Sequence, residues 1–283
     1  MSSIRRNAYG KVNLLLNVVR RLENGYHQVE MVMQTVDLHD VVTLTQTEDT
    51  DIQISCGHAD VPNNEDNLAY KAAKAMGIEK GLRIDIQKNI PVAAGMAGGS
   101  TDCAAVLLGI NELYGLGTSV EELEAIGVKL GADVPYCLSG GTKKAEGIGE
   151  VLTSIPEPAD CIVVLAKPDI NVSTKYVYEH LELDKVQHPD MAAMEKALAE
   201  KNLEAMCASM GNVLESVTGQ VCPIIGQIEK VMEENGAIKA MMSGSGPTVF
   251  GIFADKDKAE QAAVKIREQK LTEQVYVSNF VTP

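Results

Sequence analysis

The strongest chemical signal in the chain is the stretch PVAAGMAGGSTDCAAVLLG, residues 91–109, where an extended segment runs through a glycine-rich turn into an Ala/Leu-rich helix. A helix start of this kind is an anion site, because its free backbone N–H groups and the positive end of its dipole favour phosphate. Gly95, Gly98 and Gly99 let the backbone approach a ligand closely, and Ser100 and Thr101 add hydroxyl donors. The spacing is not that of a Walker-type P-loop and the loop holds no lysine, nor is it GxGxxG, so a dinucleotide fold is not indicated. Tight packing alone also produces glycine-rich turns, and the reading needs support from other segments.

Three segments supply it. In LGADVPYCLSGGT, Asp133 stands at the junction of two helices, where it either caps the second or accepts a proton from a hydroxyl nucleophile. Lys11 falls on the polar face of the first strand; it is either an ordinary exposed lysine or a cation that lowers the pKa of that hydroxyl or neutralises a phosphoryl oxygen. In MMSGSGPTVFGIF, Ser243, Gly244, Ser245 and Gly246 separate two apolar strands, a link longer and richer in glycine than a hairpin needs and suited to line a cleft.

These residues must be positioned by regular elements. Residues 11–19 alternate, with Val12, Leu14, Leu16 and Val18 on one face and Lys11, Asn13, Leu15 and Asn17 on the other, which predicts a strand. Asn24-Gly25 predicts a hairpin turn into a second strand through Val29, Met31 and Met33, with Tyr26 and His27 near the bend. Further strands are predicted from Val41, near Ile52 and at residues 82–86. Helices are predicted after an Asp66 or Asn67 cap with a stop at Gly77, at 101–113, and through SVEELEAIGVKLG to Gly131. The prolines of IPEPAD mark a domain boundary, beyond which helices at 191–200, 203–217 and 223–234, strands at 237–242 and 249–253, a helix and a last strand complete an α+β pattern.

Composition bounds the partners. With 25 Lys plus Arg against 39 Asp plus Glu, the formal charge is −14, which argues against a general nucleic-acid or anionic-membrane binder. Residues 1–21 hold Arg5, Arg6, Lys11, Arg20 and Arg21 and no acid; this local reversal points to a specific small anion, although charge guarding a strand edge accounts for Arg20 and Arg21. No apolar run approaches the roughly 20 residues of a membrane span, and a cytoplasmic location is expected. The six cysteines form no CxxC pair and are expected as reduced packing residues.

Together AYGKVNLLL, NGYHQVE, PVAAGMAGGSTDCAA, GADVPYCLSGGT and MMSGSGPTVFGIF closely resemble the GHMP kinase superfamily, in order and with similar spacing. The GYH and GADVP segments resemble the branch that acts on a cytidine diphosphate-linked methylerythritol in the non-mevalonate route to isoprenoids. The resemblance implies an α+β, two-domain fold. Residues 1–155 would form a ribosomal-S5-domain-2-like ATP-binding domain, residues 156–283 a ferredoxin-like substrate-side domain, and the active site would lie between them. It implies transfer of the γ-phosphate of ATP, with Mg2+, to the 2-hydroxyl of the methylerythritol moiety, with Asp133 as general base, Lys11 as its catalytic partner and Asn13 orienting the substrate. The cytosine end would fall on Tyr26 and His27 with Tyr178 as second aromatic face, or Tyr176 in its place; a tyrosine ring can stack on a pyrimidine while imidazole reads its polar edge. Ser243, Gly244, Ser245 and Gly246 would complete the substrate side. ATP would lie on Pro91, Val92, Ala93, Ala94, Gly95, Met96, Ala97, Gly98, Gly99, Ser100 and Thr101, with Asn67 near the adenine. No carboxylate marks itself as a magnesium ligand, and the ion would be held mainly by phosphates, water and a hydroxyl such as that of Ser100.

The implied partner is a small molecule, with no nucleic acid and no membrane, and the chain is expected to be a monomer or homodimer. A sister kinase for mevalonate or homoserine would keep the loop and Asp133 without needing Tyr26, His27 and Tyr178. A catalytically silent nucleotide-binding homologue would not need Asp133 and Lys11 together. The chain departs from the family pattern at Tyr9 and Gly10, at Met96-Ala97 where leucine-glycine is usual, and at Ile148 where arginine is usual. Ala97 is expected to be tolerated if it need not adopt positive φ. No role is assigned to Lys143 and Lys144.

Overall fold

The alternating run that begins at Lys11 is the middle of a longer strand. In the computed structural model, which describes residues 2–283, β1 (Ser3–Arg21) pairs antiparallel with β2 (His27–Gln46), and Arg21 faces His27 across the Asn24-Gly25 bend. The strand expected to start at Val41 is the far half of β2. The chain stays in one strand because register shifts beside Tyr9, Asn13 and Val18 bend the ribbon without breaking it. Both faces of β1 are buried from Gly10 to Val18, so the face carrying Lys11, Asn13 and Asn17 is polar yet enclosed.

Next come β3 (Ile52–Cys56), α1 (Leu68–Ala75), β4 (Leu82–Gln87) and α2 (Gly98–Leu113). Asn67 is the cap of α1, its side chain accepting the Ala69 N–H at 2.9 Å. Helix α2 starts at Gly98, three residues ahead of expectation, so the glycine turn is itself the first helical turn. Then α3 (Val120–Gly127) is closed at its start by a Ser119/Glu122 capping box and ends before the expected Gly131. It is followed by α4 (Val134–Ser139), β5 (Thr142–Glu146) and β6 (Val151–Ser154). The last two strands were not expected; β5 pairs with both β2 and β6.

The remainder comprises β7 (Ile162–Ala166), α5 (Thr174–Glu179), α6 (Met191–Ala199), α7 (Leu203–Ser209), β8 (Gly211–Asn212), α8 (Glu215–Val221), α9 (Ile224–Glu234), β9 (Lys239–Met242), β10 (Val249–Phe253), α10 (Lys256–Glu268) and β11 (Val275–Asn279). The single helix expected at 203–217 is two: Met210 is extended, and Gly211 and Asn212 pair in parallel with Leu15 and Leu16. Glycine and asparagine are poor helix formers, and the sheet edge takes them.

The first sheet runs β3-β4-β2-β1-β8, with β5 and β6 branching from β2; the second runs β11-β7-β10-β9 and is antiparallel throughout. In chain order the second sheet's strands lie 4-1-3-2, the ferredoxin-like arrangement that was expected. The core is shared between the sheets. Val12, Leu14 and Leu15 pack with Met241 and Phe250, while Leu16, Val18 and Met33 pack with Val164, Val213 and Phe253. The bulged middle of β1 is therefore gripped from the second sheet's side, which fixes the polar residues it carries. All six cysteines are free, and among the described residues no helix is long and apolar enough to cross a membrane.

Candidate active site

Lys11 and Asn13 are two apart on one strand, so they share a face, and the bulges on either side of them aim both into a cavity of about 890 Å³. The Lys11 ammonium donates to Asn13 Oδ1 at 2.8 Å and to the Gly95 carbonyl at 3.3 Å, and stands 3.9 Å from the Asp133 carboxylate. Lys11 is only 5% exposed, which removes the reading of an ordinary surface lysine. Asp133 sits at the cap position of α4 but makes no capping hydrogen bond, so its carboxylate is left for the cavity it lines. A buried cation beside a carboxylate that water still reaches is an arrangement able to hold a hydroxyl, take its proton and balance the charge that results.

The glycine-rich loop is built from alternating backbone hands. Ala93, Gly95 and Ala97 have φ of 53°, 72° and 59°. The condition set for Ala97, that it need not adopt positive φ, is not met: it occupies the left-handed region as the cap residue of α2. An alanine pays about 1–2 kcal/mol for that conformation, and its neighbours hold it there. The Lys11 N–H donates to the Met96 carbonyl at 3.2 Å, and Thr101 Oγ1 donates to the Tyr9 carbonyl at 2.7 Å. At Gly95 the absence of a side chain is required, because a Cβ would collide with the Ser243 carbonyl.

Below the loop lies an ion cluster that sequence reasoning missed. Asp40, fully buried on β2, accepts the N–H groups of Asn89 and Ile90 at 2.6 and 2.8 Å and the Lys88 ammonium, which also donates to Asp102 at 2.8 Å. Burial pushes the Asp102 carboxyl up to about 7 against the pull of Lys88, and the Asp40 charge adds to the rise. The cluster pins both the start of the loop and the first turn of α2. Its one local signal was the acid in STDC, since Asp40 and Lys88 are 48 residues apart and only the sheet joins them.

At the other end of the cavity the hairpin bend meets α5. The His27 and Tyr178 rings lie 5.0 Å apart, tilted by 37°, and Tyr26 stands 60% exposed at the rim. Burial, and then the charge of Arg21, hold His27 below the usual imidazole range, so its neutral ring offers one donor and one acceptor. Tyr176 is stacked on His180 at 3.9 Å and is not part of the cavity wall, so of the two tyrosines only Tyr178 lines this cavity. Arg21, Ile148, Thr174, Lys175 and Glu179 also line the cavity and were not foreseen as site residues.

Of the expected residues, Lys11, Asn13, Tyr26, His27, Gly95, Ala97, Ser100, Asp133, Tyr178, Gly244 and Ser245 meet in this cavity. Pro91, Val92, Ala93, Ala94, Met96, Gly98, Gly99, Thr101, Ser243 and Gly246 are not among the residues that line it. Ser243 Oγ donates to the Gly95 carbonyl at 3.1 Å. Asn67 is also outside the cavity; its amide donates to the Pro62 carbonyl at 2.8 Å while its oxygen caps α1. Gly99 lies near Leu68 with room for a side chain, so the open side of the loop leads toward Asn67. Lys143 donates to Ser154, and Lys144 pairs with Glu146 and Glu195 at 3.6 and 3.4 Å, so outside the cavity Lys143 ties β5 to β6 and Lys144 ties β5 to α6.

A glycine loop opening a helix, a buried lysine and a carboxylate set between two α+β layers define a small-molecule kinase. The family models for the GHMP kinases N terminal domain and the GHMP kinases C terminal region match residues 67–141 and 193–270, and GHMP kinases use ATP as cosubstrate. The chain is 48% identical over 288 residues to the 4-diphosphocytidyl-2-C-methyl-D-erythritol kinase of Lachnospira eligens, covering 100% of both chains. It is 45% identical to the kinase of that name in Lachnoclostridium phytofermentans, covering 99% of this chain and 98% of the relative. The crystal structure of a 4-(cytidine 5'-diphospho)-2C-methyl-D-erythritol kinase superposes with a TM-score of 0.84 at 30% identity, covering 98% of this chain and 99% of that one. The chain belongs to the 4-diphosphocytidyl-2-C-methyl-D-erythritol kinases of the GHMP kinase family.

Proposed function

We propose that the enzyme transfers the γ-phosphate of ATP to the 2-hydroxyl of 4-diphosphocytidyl-2-C-methyl-D-erythritol, with Asp133 as general base and Lys11 as its catalytic partner. The observation that carries this reading is the 3.9 Å approach of Lys11 to Asp133 beside Gly95, in the same cavity whose far end holds His27 and Tyr178. Phosphoryl transfer asks the protein mainly for alignment and charge stabilisation. Asn13, fixed by the Lys11 ammonium, orients the alcohol; Asp133 receives the hydroxyl proton on a carboxylate oxygen; Lys11 faces the charge that gathers between alcohol and phosphoryl group. Tyr178 and Tyr26 offer faces for the pyrimidine, and neutral His27 offers its edge a hydrogen bond.

Magnesium suits the hard oxygen donors at the loop. Ser100 would hold it together with the phosphates of ATP and water, and the ion when bound neutralises phosphate charge. The loop of residues 91–101 would carry the phosphates, with Asn67 on the adenine side. The division at 155 and 156 belongs to the same proposal, since all of the first sheet but the two-residue β8 ends by Ser154 and β7 opens the second at Ile162.

ADP release measured with magnesium-ATP against the cytidylylated alcohol, the same alcohol without its cytidylyl group, mevalonate and homoserine tests the assignment. Turnover confined to the first compound is expected. Turnover with mevalonate or homoserine would make the chain a sister kinase, and ATP binding without turnover on any alcohol would make it a silent homologue.

A further inference from the structure

The serine-glycine loop at 242–246 is held from behind by one short stretch of chain. Asn212 donates its side-chain amide to the carbonyls of Met242 and Gly244, both at 2.8 Å. Glu215 Oε2 accepts the Met242 N–H at 2.8 Å, and the Thr218 hydroxyl donates to the Ser245 carbonyl at 3.2 Å. Glu215 and Thr218 are three apart on α8, so they share a side of it, and Asn212 precedes them on β8; each grips the loop by its backbone. The loop in turn meets the glycine-rich loop through Ser243 and Gly95. The hold of α8 on the loop therefore sets the distance between the two walls of the site.

Glu215 has a second partner. Glu229, on α9, lies within hydrogen-bonding reach of it, and Glu229 Oε1 is buried with no partner among the described residues. Two carboxylates in buried contact cannot both stay ionised, whereas a single proton between them turns repulsion into a charge-assisted O–H···O bond. The proton belongs on Glu229. Glu215 accepts the Met242 N–H, which favours its ionised form, and an unpartnered oxygen costs less on a neutral carboxyl than on a carboxylate. The other charges facing the pair are Lys239 of β9, which favours ionisation, and Glu233 of α9, which opposes it. Burial, and then the Glu215 charge, push the Glu229 carboxyl up to about 8.

We propose that Glu229 is a positioning residue for phosphoryl transfer: its carboxylic acid proton, donated to Glu215, keeps Glu215 on the Met242 N–H and so fixes the serine-glycine loop against Gly95. Loss of that proton to solvent sets two negative charges side by side, the pair separates, and the loop is released. The catalytic consequence rests on the kinase reading above, but the release of the loop does not.

The first measurement therefore uses no substrate. Amide hydrogen exchange of residues 242–246, corrected for the intrinsic pH dependence of exchange, is followed from pH 6 to 9.5 in the wild-type protein and in Glu229→Gln, whose side chain keeps a donor that cannot ionise. Wild-type protection is expected to fall by about tenfold per pH unit as pH rises toward about 8 and to level off above it, while E229Q stays protected throughout. The second measurement is the pH profile of kcat and KM with magnesium-ATP and 4-diphosphocytidyl-2-C-methyl-D-erythritol. E229Q should match the wild type at pH 7 and lack its rise in KM for the alcohol toward pH 8. Glu229→Ala should be loose at every pH; if it does not fold, E229Q against wild type still decides the matter. The same alkaline loss of protection in E229Q as in the wild type, or a fully protected loop in folded E229A, would overturn the proposal. Failure of turnover with intact exchange behaviour would count against the substrate assignment and leave Glu229 in its place.

Discussion

Ser243 donates its hydroxyl to the carbonyl of Gly95 at 3.1 Å, so the two glycine-rich segments of the chain, 148 residues apart, touch at the wall of the active site. The contact explains why Gly95 bears no side chain: at φ 72° its Cα faces the Ser243 backbone directly. Gly95→Ala should lose about 1–2 kcal/mol from the backbone conformation alone, more from the collision, and weaken ATP binding as the loops separate. Gly99→Ala on the open side of the first turn should keep its stability or gain up to about 1 kcal/mol from helix propensity. Thermal unfolding and ATP titration of the two variants check the contrast; equal losses would mean that the Ser243 contact does not shape the loop.

Asp133→Asn preserves size and removes the proposed acceptor of the hydroxyl proton. Its kcat should fall by about 10² to 10⁴ with ATP affinity nearly unchanged. Asp133 makes no capping bond but faces the buried Lys11 ammonium at 3.9 Å, so its thermal midpoint should fall only slightly. Steady-state kinetics beside ATP titration separate these outcomes, and wild-type turnover would take Asp133 out of the reaction.

Tyr178→Ala removes a ring that lines the cavity beside His27, whereas Tyr176→Ala removes one that stacks on His180 outside it. The first should weaken the cytidylylated substrate by about 1–3 kcal/mol with little change in KM for ATP; the second should leave both unchanged. Equal effects of the two substitutions would place the pyrimidine elsewhere.

The buried cluster below the glycine loop predicts a pH dependence of stability. Asp102 is raised to about 7 by burial, so the folded chain holds a proton there that the unfolded chain has already released above about pH 4. A raised acid contributes stability that is full below its unfolded value and is lost as pH climbs through the folded one. Wild-type stability should fall between about pH 4 and 7 by at most ~1.4 kcal/mol per pH unit from this group, and Asp102→Asn should flatten that slope. Urea unfolding across the window checks it, and parallel slopes would show Asp102 to be ionised.

Much of this site could be read along the chain because its parts are local. Lys11 and Asn13 share a strand face by their spacing, the glycine loop precedes its helix directly, and Tyr26 and His27 sit on a bend marked by Asn24-Gly25. What could not be read depends on contacts between distant segments. Nothing near Asp40 or Lys88 announces their pairing; only the pairing of β2 with β4 brings them together. Periodicity continued the helix at 203–217 through Met210, since it cannot register the sheet edge that draws Gly211 and Asn212 out of it. Ala97 violates the local preference of its residue type because contacts around the loop hold its backbone. Strands β5 and β6 are short, and the two lysines and the glutamate of β5 disguise a strand whose Ala145 is buried against the core.

The central claim is that a phosphoryl group passes from ATP to one hydroxyl of a cytidylylated alcohol held between Asp133 and Tyr178. Phosphorus NMR of the product formed from magnesium-ATP and 4-diphosphocytidyl-2-C-methyl-D-erythritol tests it most directly. The predicted spectrum has a new phosphomonoester coupled to the branched carbon 2, with the cytidylyl diphosphate intact and ADP formed in equal amount. A phosphate on any other oxygen, a cleaved diphosphate, or inorganic phosphate in place of the ester would contradict it.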